Sequence, residues 1–190
     1  MTKLSILIPT LENRKFHLGN MVKNISAQIN ALENPDDCEL LVYSDNREKT
    51  TGHKRNVLLG RAKGKFTVFV DDDDKLAVNY IQLILEAIDN NPDIDAIGIR
   101  GQYSEDGRKP SPFETSLKHN WELKDGWYLR TINHISPIKR IHALRVRFPD
   151  ITIGEDYKYT MALKSLNILK KEVVIKQPIY FYNFVSNKQY

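Results

Sequence analysis

The sequence predicts an α/β protein, with a mostly parallel central sheet flanked by helices on both faces. Three observations predict it. Short apolar runs rich in β-branched residues recur without polar alternation, which marks strands buried on both faces. Segments of helical period lie between them. The joints are short, and strand–helix–strand units with short joints make right-handed crossovers in a parallel sheet. At 190 residues the chain is expected to form one domain, residues 1–190, with room for a real core.

In chain order, "LSILI" (4–8) is the first buried strand, and residues 17–32 set Met21, Ile25, Ile29 and Leu32 at helical spacing. "ELLVY" (39–43) is the second strand, "HKRNVLLGRA" (53–62) a short helix ended by Gly64, and "FTVFV" (66–70) the third strand. A strongly periodic helix follows over 76–90, then a fourth strand, "IDAIGIR" (94–100). Residues 101–135 carry both tryptophans and no clear period, which predicts a long functional loop region. "HISPIKRIHALRVR" (134–147) reads as an amphipathic helix with Ile138, Ile141 and Leu144 inward and its bases in water, or else as a seat for a phosphate-bearing or nucleic-acid acceptor. A helix over 155–168 and two closing strands, "EVVIK" and "IYFYNFV", complete the chain. Ligands of such sheets sit at the carboxyl ends of the strands. Pro9, Asp45 and the acidic run Asp71–Asp74 all fall there.

Composition excludes several classes. An apolar fraction of 41% and a charged fraction of 27% are ordinary for a soluble globular domain. The single Cys38 cannot form an intramolecular disulfide and fits a reducing compartment. "MTKLSILIPT" holds too short an apolar run for a signal peptide or a membrane span, so a cytoplasmic protein is expected. The net charge of +4 mildly favours an anionic partner.

The run "FTVFVDDDDKLAVNY" (66–80) poses the main chemical question. One aspartate, Asp74, serves as a cap for the helix expected from Leu76. A cap needs one carboxylate and not four. Two carboxylates about 4 Å apart repel by roughly 1 kcal/mol in water and more in a cleft. A divalent cation relieves that repulsion, and oxygen ligands suit Mg²⁺ or Mn²⁺.

Four segments then occur in a telling order: "SILIPTLENR", "LLVYSDN", "GHKRNVLLGRAKGKFTVFVDDDD" and "GEDYKYTMAL". Together they resemble the family 2 glycosyltransferases of the GT-A fold, closely over about residues 3–90 and more loosely over 148–185. The resemblance implies a minimal catalytic domain, with a nucleotide-binding half (1–100) and an acceptor-binding half (101–190). It implies an inverting transfer from a nucleotide-sugar, a UDP-sugar by preference, to an acceptor hydroxyl. Carried over by position, Pro9 and Thr10 line the nucleotide pocket, and Asp45 accepts a hydrogen bond from the base. Lys54 and Arg55 reach the base or diphosphate. Asp71 and Asp72 lie against the donor, and Asp73 with Asp71 holds the divalent metal, Mn²⁺ or Mg²⁺. Asp156 is the general base and Glu155 orients the acceptor.

Departures accompany the matches. "PTLENR" carries one residue more than the family pattern, which displaces Asn13 and Arg14. Ser44 stands where an aspartate is frequent, and Lys54 where alanine is usual. In "YFYNFVSN" Asn183 replaces an arginine, and Val185 falls where the family's histidine would stand. Trp121 and Trp127 lie where an acceptor would dock. Two other readings compete. A nucleotidyltransferase-like enzyme would carry a glycine-rich loop after the first strand, which "PTLENRK" lacks. A binding module without turnover is favoured by Val185 and opposed by the Glu155–Asp156 pair.

Overall fold

The computed structural model describes residues 1–184. Its strands are β1 (Leu4–Leu11), β2 (Cys38–Asp45), β3 (Phe66–Phe69), β4 (Lys75–Leu76), β5 (Ala96–Glu105), β6 (Ser111–Thr115), β7 (Glu122–Lys124), β8 (Trp127–Arg130), β9 (Ile138–Lys139) and β10 (Glu172–Phe184). Its α-helices are α1 (Lys15–Asn30), α2 (Thr51–Arg61), α3 (Tyr80–Asn90), α4 (Arg140–Ala143) and α5 (Glu155–Leu166).

Strand β1 is apolar on both faces, and it sits where that composition requires. Leu4, Ile6 and Ile8 join one core with Met21 and Ile25 of α1 and Tyr80, Ile81, Ile84, Leu85 and Ile88 of α3. Leu7 points the other way, into a second core with Leu58 and Leu59 of α2 and Tyr159 and Leu163 of α5. The sheet therefore carries helices on both faces, as the sequence predicts. Cys38 lies buried at the start of β2 as a free thiol, whose pKa burial pushes up to about 12.

The sheet itself is mixed and not mostly parallel. β1 runs parallel to β2 and β3, but β9 wedges antiparallel between β3 and β5. β6 pairs antiparallel with β5, and β8 with β7. Part of the departure comes from residues 101–135, which form β6, β7 and β8 instead of a loop, and part from β9 and the antiparallel β4–β10 pair. Strands of three to five residues are too short to show a period, and these are held by local pairing.

Three boundaries also move. The helix expected from 76 starts at Tyr80, because β10 captures the preceding backbone. Leu76 pairs with Tyr180, and Ala77 N–H donates to Ile179 O at 3.0 Å. Asp74 is therefore not a helix cap. The 134–147 helix shrinks to the four residues of α4. Ile138 is taken into the sheet and buried, while Ile141 (62% exposed) and Leu144 (45% exposed) face outward, against expectation. The two closing strands are one bent strand, β10, whose register shifts around Pro178, where no N–H is available.

Gly52 locks α2 against the segment leading to α5. A Cβ there would fall 1.9 Å from Pro149 O, and Gly52 N–H donates to Ile151 O at 3.0 Å. Among the described residues no helix is long and apolar enough to cross a membrane.

Candidate functional site

The carboxyl ends of β1 and β3, the first turns of α2 and the start of α5 enclose a cleft of about 580 Å³. Every residue assigned a site role from sequence lines it except Asp45. Gly154 makes the turn into α5 with φ +79, a left-handed conformation that glycine adopts without a Cβ penalty. That turn sets Glu155 and Asp156 at the helix start, where the helix dipole favours acids.

The four aspartates coexist because each meets a cation or a hydroxyl donor. Asp71 Oδ1 accepts from Arg55 Nη2 at 2.9 Å, and its Oδ2 lies 3.7 Å from His134 Nε2. Burial alone would raise the Asp71 pKa, but Arg55 and His134 hold it well below the usual range. Asp72 and Asp73 both reach Arg14 Nη2, at 2.6 and 2.9 Å, and Asp72 also accepts from the Thr10 hydroxyl. Asp74 accepts from Tyr180 Oη at 2.5 Å. Burial, with the Asp71 charge alongside, pushes the Asp74 pKa well above the carboxylate range.

Arg55 organises the floor of the cleft. It is buried, stands 5.1 Å from the Phe69 ring centroid, and donates from Nε to Glu155 Oε1 at 3.2 Å. Glu155 is itself buried, and burial raises its pKa despite the guanidinium beside it. Its observed contact is thus with Arg55. Lys54 is also buried, its Nζ donating to Thr10 O and Asp45 Oδ1, both at 2.8 Å. Asp45 further accepts the backbone N–H groups of Lys49 at 2.8 Å and Arg47 at 3.3 Å. Burial opposes its ionisation, but Lys54 and these N–H groups bring its pKa below the usual value. The Asp45 carboxylate is therefore engaged with the chain's own donors.

Asp156 differs from Glu155. Its side chain is 33% exposed, and its Oδ2 lies 3.7 Å from His134 Nδ1. Asp156 also lines a second cavity of about 380 Å³, walled by Tyr103, Phe113, Trp121, Tyr128, Arg130 and Tyr182. Tyr103 stands 4.9 Å from Tyr128 and 5.4 Å from Tyr182, between ring centroids. Trp127 does not line this cavity; Arg100 lies over its ring at 5.2 Å.

Two residues of the cleft escaped the sequence reading. Arg14, expected to be displaced, is carried onto Asp72 and Asp73 by a 3₁₀ turn at Glu12–Arg14 that absorbs the extra residue. His134 was visible only as one of several basic residues. It is anchored beside β3, its carbonyl accepting Phe69 N–H at 3.0 Å, and its ring stands between Asp71 and Asp156. No spacing in the sequence signals that placement. Val185 lies outside the described residues.

Among the described residues no three His, Cys, Asp or Glu side chains gather as a ready metal site. Asp72 and Asp73 converge on one cationic nitrogen, whereas Asp71 meets Arg55. Convergent carboxylate oxygens fit a hard divalent ion, which needs only one or two protein carboxylates beside water and phosphate.

A family model described as "Glycosyl transferase family 2" matches residues 23–154 of the chain, well over half its length. A crystal structure of S. aureus TarS 1–349 is similar, with 19% identity and a TM-score of 0.64 over 96% of this chain and 60% of that one. The same fragment in complex with UDP-GlcNAc gives 18% identity and a TM-score of 0.65 over 100% of this chain and 60% of that one. A further S. aureus TarS structure gives 20% and 0.63, with 97% and 37% covered. The chain thus spans 60% or less of the TarS chains it matches, and identity this low speaks for the fold alone. A search among curated proteins finds no sequence match.

Proposed function

Because the chain belongs to glycosyl transferase family 2, we propose that it moves a sugar from a UDP-sugar to an acceptor hydroxyl with inversion of the anomeric carbon. One observation carries the reading: Asp156, partly exposed, lines both the polar cleft and the aromatic cavity. A base with that placement stands where a donor in one meets an acceptor in the other. The TarS fragment crystallised with UDP and with UDP-GlcNAc supports a uridine nucleotide here.

The roles follow from position. Pro9 and Thr10 line the nucleoside end of the cleft and Asp45 stands behind Lys54, with Asp71 and Asp72 against the donor. Arg14, Lys54 and Arg55 offer positive charge to the diphosphate. Asp73, with Asp72 converging beside it and Asp71 on the same loop, would hold a Mn²⁺ or Mg²⁺ ion, which supplies Lewis-acid stabilisation of the leaving diphosphate when bound. Asp156 takes the proton from the acceptor hydroxyl as its oxygen forms a bond to the anomeric carbon. The bond from that carbon to the diphosphate oxygen breaks on the opposite face, and the electron pair leaves with the nucleoside diphosphate. Residues 1–100 supply most of the donor side and 101–190 the acceptor side, with Glu155 holding Arg55 in place across the two.

Thermal-shift titration with UDP tests this reading. Stabilisation should reach roughly 2.7 kcal/mol at one hundred times the dissociation constant, and should be larger with Mn²⁺ than with chelator. No UDP stabilisation under either condition would remove the donor assignment, and equal stabilisation would remove the metal.

A further inference from the structure

We propose that the aromatic cavity seats the acceptor and that Arg130 makes it select acidic acceptors, hydroxyl compounds that carry a phosphate or carboxylate group. The inference rests on the transferase reading above and adds the acceptor's chemical class. Arg130 ends β8 two residues after Tyr128, so both side chains leave the same face of that strand. Its guanidinium lies 4.7 Å from the Trp121 ring centroid and 5.2 Å from that of Tyr128. Nη1 donates to the carbonyls of Glu122 and Leu129, both at 3.0 Å, which fixes one arm of the fork.

Arg130 is half-buried and has no counter-ion among the described residues. Arg14, Arg55 and Arg100 each meet a carboxylate within 3.2 Å, whereas no carboxylate lies within ion-pair distance of Arg130 among the described residues. Burial lowers its pKa, with no acid close enough to offset the loss of water. A partly desolvated cation without a counter-ion is costly, and an anionic ligand offsets that cost. The planar fork matches carboxylate or phosphate oxygens in pairs, and the rings around it offer faces to a sugar or similar ring.

The distance to the chemistry is short. Trp121, under the guanidinium, meets Tyr157 edge-on with 5.4 Å between centroids, and Tyr157 follows Asp156 directly on α5. An acceptor held by its anion at Arg130 therefore extends past Trp121 and Tyr157 toward the base.

Calorimetric titration of the UDP-saturated protein tests this, because UDP occupies the cations of the cleft and leaves Arg130 to respond. The probes are methyl β-glucoside, glucose 6-phosphate and glucuronate, which differ in the anion and in its source. At least one anionic probe should bind about tenfold more tightly than the neutral one, and Arg130→Gln should abolish that preference. Raising salt from about 50 to 500 mM should shrink the preference in the unmodified protein, a readout that stands even where the variant does not fold. Equal binding of all three probes, a preference unmoved by salt, or one kept by Arg130→Gln would overturn the proposal. UDP binding without anion preference defeats this inference alone; absence of UDP binding defeats the donor reading beneath it.

Discussion

The polar cleft and the aromatic cavity share Asp71, His134, Asp156 and Tyr182, yet they are held together by different physics. In the cleft, Asp71, Asp72 and Asp73 are matched to Arg55, Arg14, Thr10 and His134. Its shape therefore depends on charge state. In the cavity, tyrosine rings 4.9–5.4 Å apart form the wall and one guanidinium stands without an acid. Its shape depends on ring volume. The contrast teaches that the cleft gathers three cations, Arg14, Lys54 and Arg55, each tied to carboxylates. The cavity presents aromatic contact area, with Arg130 as its cation and Asp71 and Asp156 at the border it shares with the cleft.

Asp156 belongs to both, so it should give the largest effect. Asp156→Asn is nearly isosteric and should lower turnover by roughly 10²–10⁴-fold, with UDP affinity and melting temperature hardly changed. Steady-state rates and UDP titrations on the variant make the check. Retained transfer would mean that the two cavities do not meet at this residue.

The cleft's dependence on charge is sharpened by Arg55→Met. This change leaves Asp71 and Glu155 without their buried cation and should cost about 3–5 kcal/mol in urea unfolding. Glu155→Gln on the same background should restore part of that loss, since burial already raises the Glu155 pKa. A cost below about 1 kcal/mol would show that the cleft is not built on this pair.

Nearer the surface, Arg14→Ala should be milder. Removing one charged hydrogen-bond donor should weaken UDP binding by about tenfold in metal-free buffer. Mn²⁺ should recover most of the loss, because it supplies the positive charge that Asp72 and Asp73 lose with Arg14. If Mn²⁺ recovers nothing, Arg14 contacts the donor itself and does not merely balance the two acids.

The legible parts of this molecule were those with length. β1, β2, β3, α1, α2 and α5 span enough residues to show a period or a continuous apolar run, and the structure places each within a few residues of expectation. The strand-end loops were legible for the same reason, and they bring Pro9, Thr10, Lys54, Arg55, Asp71–Asp73, Glu155 and Asp156 into one cleft. β6, β7, β8 and β9 were not legible, because two to five residues carry no period and their pairing partners are set by tertiary contact. Pairings across large separations were also invisible. Arg55 with Glu155 joins residues a hundred positions apart, and His134 reaches two acids from a segment with no motif. Asp74 misled because an acid before a helical pattern looks like a cap, whereas β10 takes the backbone that the cap would need.

The smallest expected effect tests whether the cavity's side of the sheet is indifferent to charge. Glu114 on β6, between Phe113 and Thr115 of the cavity lining, has two partners in hand: Arg100 Nε donates to Oε2 at 2.6 Å, and His119 Nε2 lies 2.7 Å from Oε1. Burial alone would raise the Glu114 pKa, but His119 and Arg100 bring it below the ordinary value. A carboxyl whose folded pKa is depressed contributes stability above its unfolded pKa, about 4.3, and loses it as pH falls further. Glu114→Gln should therefore lower the melting temperature at pH 6–7, and the gap from the unmodified protein should close toward pH 3. The pair is partly solvated, so the contribution should be about 1 kcal/mol or less, a shift of roughly 2–4 °C at most for a chain this size. UDP affinity should not change, because Glu114 touches neither the cleft nor its cations. A UDP response to Glu114→Gln would mean that charge on this side of the sheet reaches the cleft, and the division between the two regions would fail.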